Sequence, residues 1–150
     1  MRMKLAEHEV TLKGGLESAW AKLVDWKSMP EWDTFMKSVE FDGPLKTGSV
    51  GKLVLKNGQQ FVLRVTSFTF MKEYTDEFSC LGSRFIFYHE LIPQALNEVK
   101  MRLAMEAEGL VAFLLWGLLS KSFRDNLPGL MCRFKTQFEE QERNSLDAIR

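Results

Sequence analysis

The sequence predicts an α+β fold in which a seven-stranded, curved antiparallel sheet wraps around a long C-terminal helix. Three observations predict it. Apolar and polar residues alternate in seven short segments, turn signals separate the last six, and helical spacing is confined to residues 16–26 and 110–143. The apolar face of such a sheet needs a cover, and the C-terminal segment is the only long amphipathic element. At 150 residues, we expect one domain, residues 1–150.

The first strand and two short helices begin the chain. In residues 7–14 apolar and polar residues alternate, as in a half-buried strand, and a glycine pair ends the pattern. Residues 16–26 then carry apolar side chains at helical spacing, and Ser28–Pro30 interrupts them. We therefore expect two short helices between the first and second strands.

Six further strands form an antiparallel meander. Turn signals such as Gly43–Pro44 and Asn57–Gly58 separate the segments, and short turns join strands that pair antiparallel. These segments are rich in β-branched and aromatic residues and cover residues 34–41, 50–56, 60–68, 72–80, 84–92 and 97–107.

The last element is a helix from about Leu110 to Arg143. It begins with ten apolar or glycine residues, 110–119, which is about half the length that a membrane-spanning helix needs. Pro128 lacks an amide hydrogen and is expected to bend the helix. One recurring face combines Leu110, Leu114, Gly117, Lys121, Leu127, Leu130 or Met131, Phe134 and Phe138.

Composition argues against several functional classes. Twenty basic and twenty acidic residues give no net charge, so nucleic acid is not an expected partner. We expect no cofactor and no metal, because the sequence contains no dinucleotide fingerprint, phosphate loop or metal-ligand spacing. The N-terminus lacks the features of a secretory signal, which predicts a cytoplasmic location without an integral membrane segment.

Five short motifs carry a resemblance to a known family. They are Trp26 with Pro30–Asp33, Leu45–Gly48, Val65–Thr66, Tyr88–Pro93 and Gly109–Leu110. In this order and spacing the chain resembles the START-like, or SRPBCC, superfamily of polyketide cyclase/dehydrase-like and lipid-binding proteins. The resemblance implies the helix-grip fold of the birch pollen allergen. It also implies a hydrophobic cavity between the sheet and the long helix, opening near the early part of that helix.

The resemblance and the strand alternation together predict the residues that bind a ligand. On the helix, those expected to face the cavity are Leu110, Leu114, Gly117 and Leu118. Those from the strands are Phe61, Leu63, Phe78, Phe85, Phe87, His89, Met101, Leu103 and Met105. The pattern does not distinguish a hollow interior from a filled one. Gly117 either eases opening of the helix or allows close packing.

His89 and Asp76 are the candidate catalytic residues. His89 shares an apolar strand face, where it acts either as an acid/base or as a buried imidazole bonded to a neighbouring strand. The phase of Asp76 turns it inward, where it would form an acid/base dyad with His89. A strand bulge would turn Asp76 out to solvent, and we expect this outward position because an unpaired buried carboxylate is costly.

The predicted function is binding of a small hydrophobic ligand, such as a lipid or polyketide, in the cavity. The alternative is a polyketide cyclase or dehydratase-like enzyme that uses His89 as its acid/base. A third hypothesis is an interaction protein. Trp116, Leu119 and Phe123 lie three and four residues apart on a further helix face, which predicts an exposed apolar stripe. Such a stripe is a homodimer face, the lip of the cavity or a membrane-surface contact, and the absence of a basic rim makes the membrane contact the weakest of the three.

Overall fold

The computed structural model describes residues 1–149 and confirms the predicted fold class. A single sheet has the strand order β1-β7-β6-β5-β4-β3-β2, so that β1 and β2 form its edges. All neighbouring strands pair antiparallel. The strands are β1 (Arg2–Lys13), β2 (Met36–Phe41), β3 (Val50–Leu55), β4 (Gln60–Thr69), β5 (Glu73–Cys80), β6 (Ser83–Ala95) and β7 (Glu98–Glu108).

The helices also follow the predicted order. Helix α1 (Leu16–Val24) and a 3₁₀ helix (Met29–Glu31) lie between β1 and β2. The C-terminal segment forms two helices rather than one, α2 (Leu110–Leu114) and α3 (Trp116–Ile149), which are separated at Leu115. Pro128 lies inside α3, which continues on both sides of it. The bend at Pro128 stays a prediction.

Four irregularities in strand pairing help the sheet to curve. The register shifts between Lys4 and Ala6 in β1, and similar shifts occur in β2, β4 and β6. A bulge bends its strand and increases the local right-handed twist. The sheet can therefore wrap around α3 instead of lying flat against it.

The buried core lies between the sheet and the middle of α3. The predicted face of α3 is buried from residue 127 onward, through Leu127, Leu130, Met131, Phe134 and Phe138. Trp32, just after the 3₁₀ helix, packs edge-on against Phe134 with their ring centroids 5.0 Å apart. Full burial of each such side chain stabilises the fold by roughly 1.5–3 kcal/mol. This face therefore holds α3 against the sheet.

Two hydrogen bonds fix the beginning of α3 to the edge strand β1. The Ser120 hydroxyl donates to the carbonyl of Leu5 at 2.8 Å, and the Trp116 indole donates to the carbonyl of Lys4 at 3.1 Å. Leu5 lies in the β1 bulge, where it has no paired residue in β7. Its carbonyl is therefore available to α3, and these contacts set the rotation of the helix about its axis.

Gly109 makes the sharp junction between β7 and α2 possible. Its φ is +114°, and a Cβ at this position would lie 2.7 Å from the Cα of Ser83. Only glycine meets both demands at low cost. The Ser83 hydroxyl accepts a hydrogen bond from the amide of Ala112 at 2.9 Å, which satisfies a donor in the first turn of α2.

Among residues 1–149, no helix combines the length and apolar character needed to cross a lipid bilayer.

Candidate functional site

A cavity of about 130 Å³ lies between the sheet and α3. Its wall combines strands β2 to β7, the segment around the 3₁₀ helix, and one face of α3. Six of the predicted ligand-binding residues line it: Leu63, Phe78, Phe87, His89, Leu103 and Met105. The position between sheet and helix agrees with the position that the sequence predicts.

Three of the predicted strand residues lie outside this wall. Phe61 and Phe85 both stack on Phe78, with ring centroids 4.5 and 5.3 Å away, and are therefore one layer removed from the cavity. Met101 is fully buried in the core, at a level of the sheet where side chains fill the interior. Correct alternation placed these residues on the inner face, but the cavity occupies only part of that face.

The prediction that the first helical turns face the cavity is wrong. Leu110, Leu114 and Leu118 are 71%, 69% and 70% exposed. A Cβ added to Gly117 would meet no atom within 4 Å, which also excludes close packing as the reason for this glycine. Because residues 110–119 are apolar throughout, their sequence does not indicate which side of the helix is buried. The contacts of α3 with β1 rotate these side chains outward.

The predicted stripe of Trp116, Leu119 and Phe123 is not an exposed surface throughout. Leu119 and Phe123 are half-buried against the core, and of the three only Trp116 is exposed, at 42%. Phe123 lines the cavity and packs against Phe35, with ring centroids 5.3 Å apart. Both rings are half-buried, so they close the side of the cavity nearest solvent.

Two carboxyl groups line this largely apolar cavity. Asp33 follows the 3₁₀ helix, and its Oδ1 accepts a hydrogen bond from the amide of Phe35 at 3.0 Å. Asp76 lies on β5 and is 7% exposed, with no hydrogen-bond partner for its carboxyl group within residues 1–149. The expectation that Asp76 points to solvent is wrong. The register shift lies in β4, between Val65 and Ser67, and leaves the phase of β5 unchanged.

Burial changes the protonation of both carboxyl groups. It raises the pKa of Asp33 to about 6, against the lowering effects of the Phe35 amide and the charges of Arg133 and Lys56. It raises the pKa of Asp76 well above its ordinary value, and the negative charge of Asp33 adds to this rise. Burial therefore favours the protonated form of both groups, and Asp33 is mostly ionised above about pH 6.

His89 makes the contact that a structural role predicts. Its Nδ1 lies 3.2 Å from the carbonyl oxygen of Tyr74 on the neighbouring strand, and its ring stacks on the Tyr74 ring with centroids 4.1 Å apart. Burial lowers the pKa of the imidazole to about 4. His89 is consequently neutral at physiological pH.

The predicted dyad of Asp76 and His89 is not formed. In the register of β5 and β6, Asp76 lies opposite Phe87, while His89 lies opposite Tyr74. The two side chains are diagonal neighbours, a relation in which separations are typically about 7 Å. No hydrogen bond joins them in the described chain. Both nevertheless face the same cavity.

Sequence reasoning missed Asp33, which the structure places beside Asp76 in the same wall. Asp33 lies in an irregular segment, where neither helical nor strand periodicity applies. One signal was present, because Asp33 directly follows Trp32 in an aromatic segment already noted as a motif. In the folded chain, a carboxyl group whose pKa is strongly shifted by burial in a cleft is a candidate functional residue.

Sequence comparison finds no counterpart for this chain: no protein-family model matches it, and no curated protein matches it. Comparison of structures gives a different result. A point mutant of norcoclaurine synthase from Thalictrum flavum, in complex with a transition-state analogue, aligns with a TM-score of 0.71 at 10% identity. The alignment covers 94% of this chain and 96% of that protein.

A START superfamily protein from Mycobacterium smegmatis aligns over 94% of this chain and 99% of its own, with a TM-score of 0.70 and 13% identity. This chain has the START-like helix-grip fold. DynU16, from the dynemicin biosynthetic locus, has a TM-score of 0.71 at 14% identity, over 91% of this chain and 48% of its own. At these identities the START-like fold is shared, and function has to be argued from the cavity itself.

Proposed function

We propose that this START-like protein binds a small, largely apolar molecule in the cavity between the sheet and α3. The observation that carries the proposal is the cavity of about 130 Å³, whose wall is mostly aliphatic and aromatic. A cavity of roughly 150 Å³ with apolar walls is large enough to hold benzene. The volume therefore favours a ligand whose buried part is about one six-membered ring.

The wall suits such a ligand energetically. A ring-sized group buries on the order of 150–250 Å² of surface, which at about 25 cal/mol per Å² is worth about 4–6 kcal/mol before the cost of association. Since association itself costs several kcal/mol, isolated rings should bind no more tightly than roughly the millimolar range. A tighter natural ligand would need polar contacts, or apolar groups that extend past Phe35 and Phe123.

Larger lipids and polyketides fit the cavity only if the contact between Phe35 and Phe123 opens. The Phe35 and Phe123 rings close the side of the cavity nearest solvent, and Met36 and Leu55 beside them are also half-buried. Separation of the two rings would connect the cavity with the outside. Binding of a long chain therefore belongs to the proposal as a second state, in which this contact is open.

An enzyme with acid/base chemistry is the second candidate function. The observation that favours it is the presence of two carboxyl groups and one imidazole in one apolar wall: Asp33, Asp76 and His89. A general base works best with a pKa near the operating pH, and the pKa of Asp33, raised to about 6, meets this condition better than that of His89. A cyclase or dehydratase-like reaction would thus use Asp33 as its base.

Toluene and a cavity-filling variant test the proposed binding. Titration of labelled protein with toluene should shift the NMR signals of lining residues such as Leu63 and Leu103. Leu63→Phe adds a ring inside the cavity and should abolish these shifts. Val62→Phe is the matched control, because Val62 is 55% exposed on the other face of the same strand. Shifts that persist in Leu63→Phe would contradict binding in this cavity.

Homodimer formation and a cytoplasmic location stay predictions. The apolar surface available to a second copy differs from the predicted stripe. It comprises the exposed side chains of Leu110, Phe113, Leu114 and Leu118, with Trp116 at its edge.

A further inference from the structure

We propose that the cavity selects a ligand with a protonated amine beside its ring-sized apolar group, and that Asp33 and Asp76 bind the ammonium group. The ligand class is therefore a small aromatic or alicyclic amine. This inference rests on the proposed function, because it requires that a ligand occupies the cavity. It adds the charge of the ligand and the two residues that recognise it.

The first argument is an uncompensated negative charge. Two carboxyl groups line the cavity, and none of its lining residues is a lysine or arginine. Arg133 and Lys56 act on Asp33 from a distance, but neither lies within salt-bridge range of it in the described chain. The charged groups that act on Asp76 are Asp33 and Glu77, both acidic. A positive charge inside the cavity would balance this group.

The second argument is that the carboxyl group of Asp76 faces the cavity without a protein partner. Asp76 is 7% exposed and lines the cavity, and no side-chain hydrogen bond to its oxygens occurs within residues 1–149. The fully buried side-chain atoms that lack any partner in this part of the chain are Nε1 of Trp32 and Nε of Arg84, so the oxygens of Asp76 retain access to the cavity space. Buried polar groups are normally hydrogen-bonded, and those that are not call for a functional reason. An ammonium group offers three N–H donors, so one nitrogen can bond to Asp76 and to the remaining lone pairs of Asp33.

The third argument is the aromatic wall. Tyr74, Phe78, Phe87 and Phe123 all line the cavity. The face of an aromatic ring is negative and attracts cations. An anion is therefore disfavoured by both the rings and the carboxyl groups, whereas a neutral ligand gains little from the carboxylate. A cation gains from both.

The geometry favours an organic cation over a metal ion. Within residues 1–149, no three His, Cys, Asp or Glu side chains are grouped so as to hold a metal. One ring nitrogen of His89 is already engaged by the carbonyl of Tyr74. The ring-sized apolar space beside the carboxyl groups would also remain unfilled by a metal ion.

Protonation gives the proposal a distinctive signature. Burial raises the pKa of Asp76 well above its ordinary value and so favours the protonated side chain in the empty cavity. An ammonium group beside it favours the ionised form, and binding should release a proton. Asp33, with its pKa raised to about 6, takes up a proton as the pH falls below that value. Affinity for an amine should therefore fall on acidification below pH 6.

Three probes of similar size test the inference: benzylamine, benzyl alcohol and benzoate. Each is titrated at pH 7.5 into wild type, Asp76→Asn and Asp42→Asn, with binding followed by NMR shifts of the lining residues. Asp42 is exposed and serves as the matched control. Since hydrogen bonds to charged groups are worth about tenfold or more in affinity, wild type should bind benzylamine about tenfold more tightly than benzyl alcohol. Benzoate should bind most weakly of the three.

Asp76→Asn should weaken benzylamine about tenfold and leave benzyl alcohol within about twofold, while Asp42→Asn changes neither. Asp33→Asn is a second variant with the same expected direction, should Asp76→Asn fail to give a folded spectrum. Equal affinity of wild type for benzylamine and benzyl alcohol would overturn the amine inference and leave the proposed function intact. Failure of all three probes and of toluene to shift the lining residues would overturn both.

Discussion

Asp76→Asn should make the empty protein more stable, although it removes an ionisable group. The side chain of Asp76 is buried without a hydrogen-bond partner in the described chain, and an amide has nearly the same shape as a protonated carboxyl group. The asparagine amide and the protonated carboxyl group both leave polar atoms without protein partners at this position. The substitution therefore isolates one property, the free energy needed to keep an ionisable group in this position.

The sign follows from proton binding. Burial raises the pKa of Asp76 in the folded state well above its ordinary value of 3.8, so above about pH 4 the folded state binds more protons at this site than the unfolded state. A raised pKa contributes stability that is fully present below the unfolded pKa and is lost as the pH rises through the folded pKa. Wild type thus loses stability between about pH 4 and neutrality, and the variant lacks this loss.

Asp33 provides a scale for the size of the effect. Its pKa rises from 3.8 to about 6 on burial, which corresponds to about 3 kcal/mol at about 1.4 kcal/mol per unit. Asp76 is more deeply buried and lacks the hydrogen bond that Asp33 accepts from Phe35. We expect Asp76→Asn to raise the free energy of unfolding at pH 7.5 by about 2–3 kcal/mol, and by much less at pH 4.

Urea unfolding at pH 7.5 and pH 4 measures both values, with circular dichroism as the signal. Asp42→Asn, at an exposed position, should change stability by less than about 0.5 kcal/mol at either pH. A variant that is less stable than wild type at pH 7.5 would refute the reasoning. So would a stabilisation of equal size at both pH values, because it would not arise from ionisation.

Three further predictions concern the same region. Burial lowers the pKa of His89 to about 4 in the folded state, so acid favours the unfolded state, in which the imidazole is protonated more easily. Between pH 7.5 and pH 4.5 the free energy of unfolding should therefore fall by about 2–3 kcal/mol less in His89→Gln than in wild type, as paired urea titrations at the two pH values would measure. Ser120→Ala should cost about 1–2 kcal/mol in thermal unfolding, since the carbonyl of Leu5 loses its buried donor; equal stability would contradict this. Phe123→Ala should lower the free energy of unfolding by about 2 kcal/mol, because the half-buried ring is lost. It should also speed the exchange of toluene measured by NMR, and unchanged exchange would show that the ring does not close the cavity.

The strands and the buried half of α3 could be predicted because their residues alternate between two environments. Each strand has one apolar and one polar face, and the register of β5 with β6 preserves that alternation. Phe134 and Phe138 are buried as predicted, because polar residues between them define the helix phase. Contrast between faces is what made these predictions possible.

The first turns of the C-terminal helices lacked that contrast. Residues 110–119 are apolar throughout, so their orientation depends on tertiary contacts: the hydrogen bonds of Trp116 and Ser120 to β1 and the glycine junction at Gly109. The two hydrogen bonds join residues more than 100 positions apart in the chain. No local pattern contains them.

The carboxyl groups of the cavity were harder to predict for a different reason. The phase of Asp76 was read correctly as inward, but the cost of burying a carboxylate favoured the outward position. Burial raises the pKa of Asp76 well above its ordinary value, and the protonated form avoids much of that cost. Asp33 lies in an irregular segment, and only the folding of that segment against β5 and α3 brings it into the same wall.

Native mass spectrometry of protein purified without detergent tests the central claim most directly. The account predicts a bound small molecule in about one copy per chain, released by organic extraction and lost in Leu63→Phe but retained in Val62→Phe. A mass equal to that of the bare chain, together with no toluene shifts at the lining residues, would contradict a ligand-binding cavity.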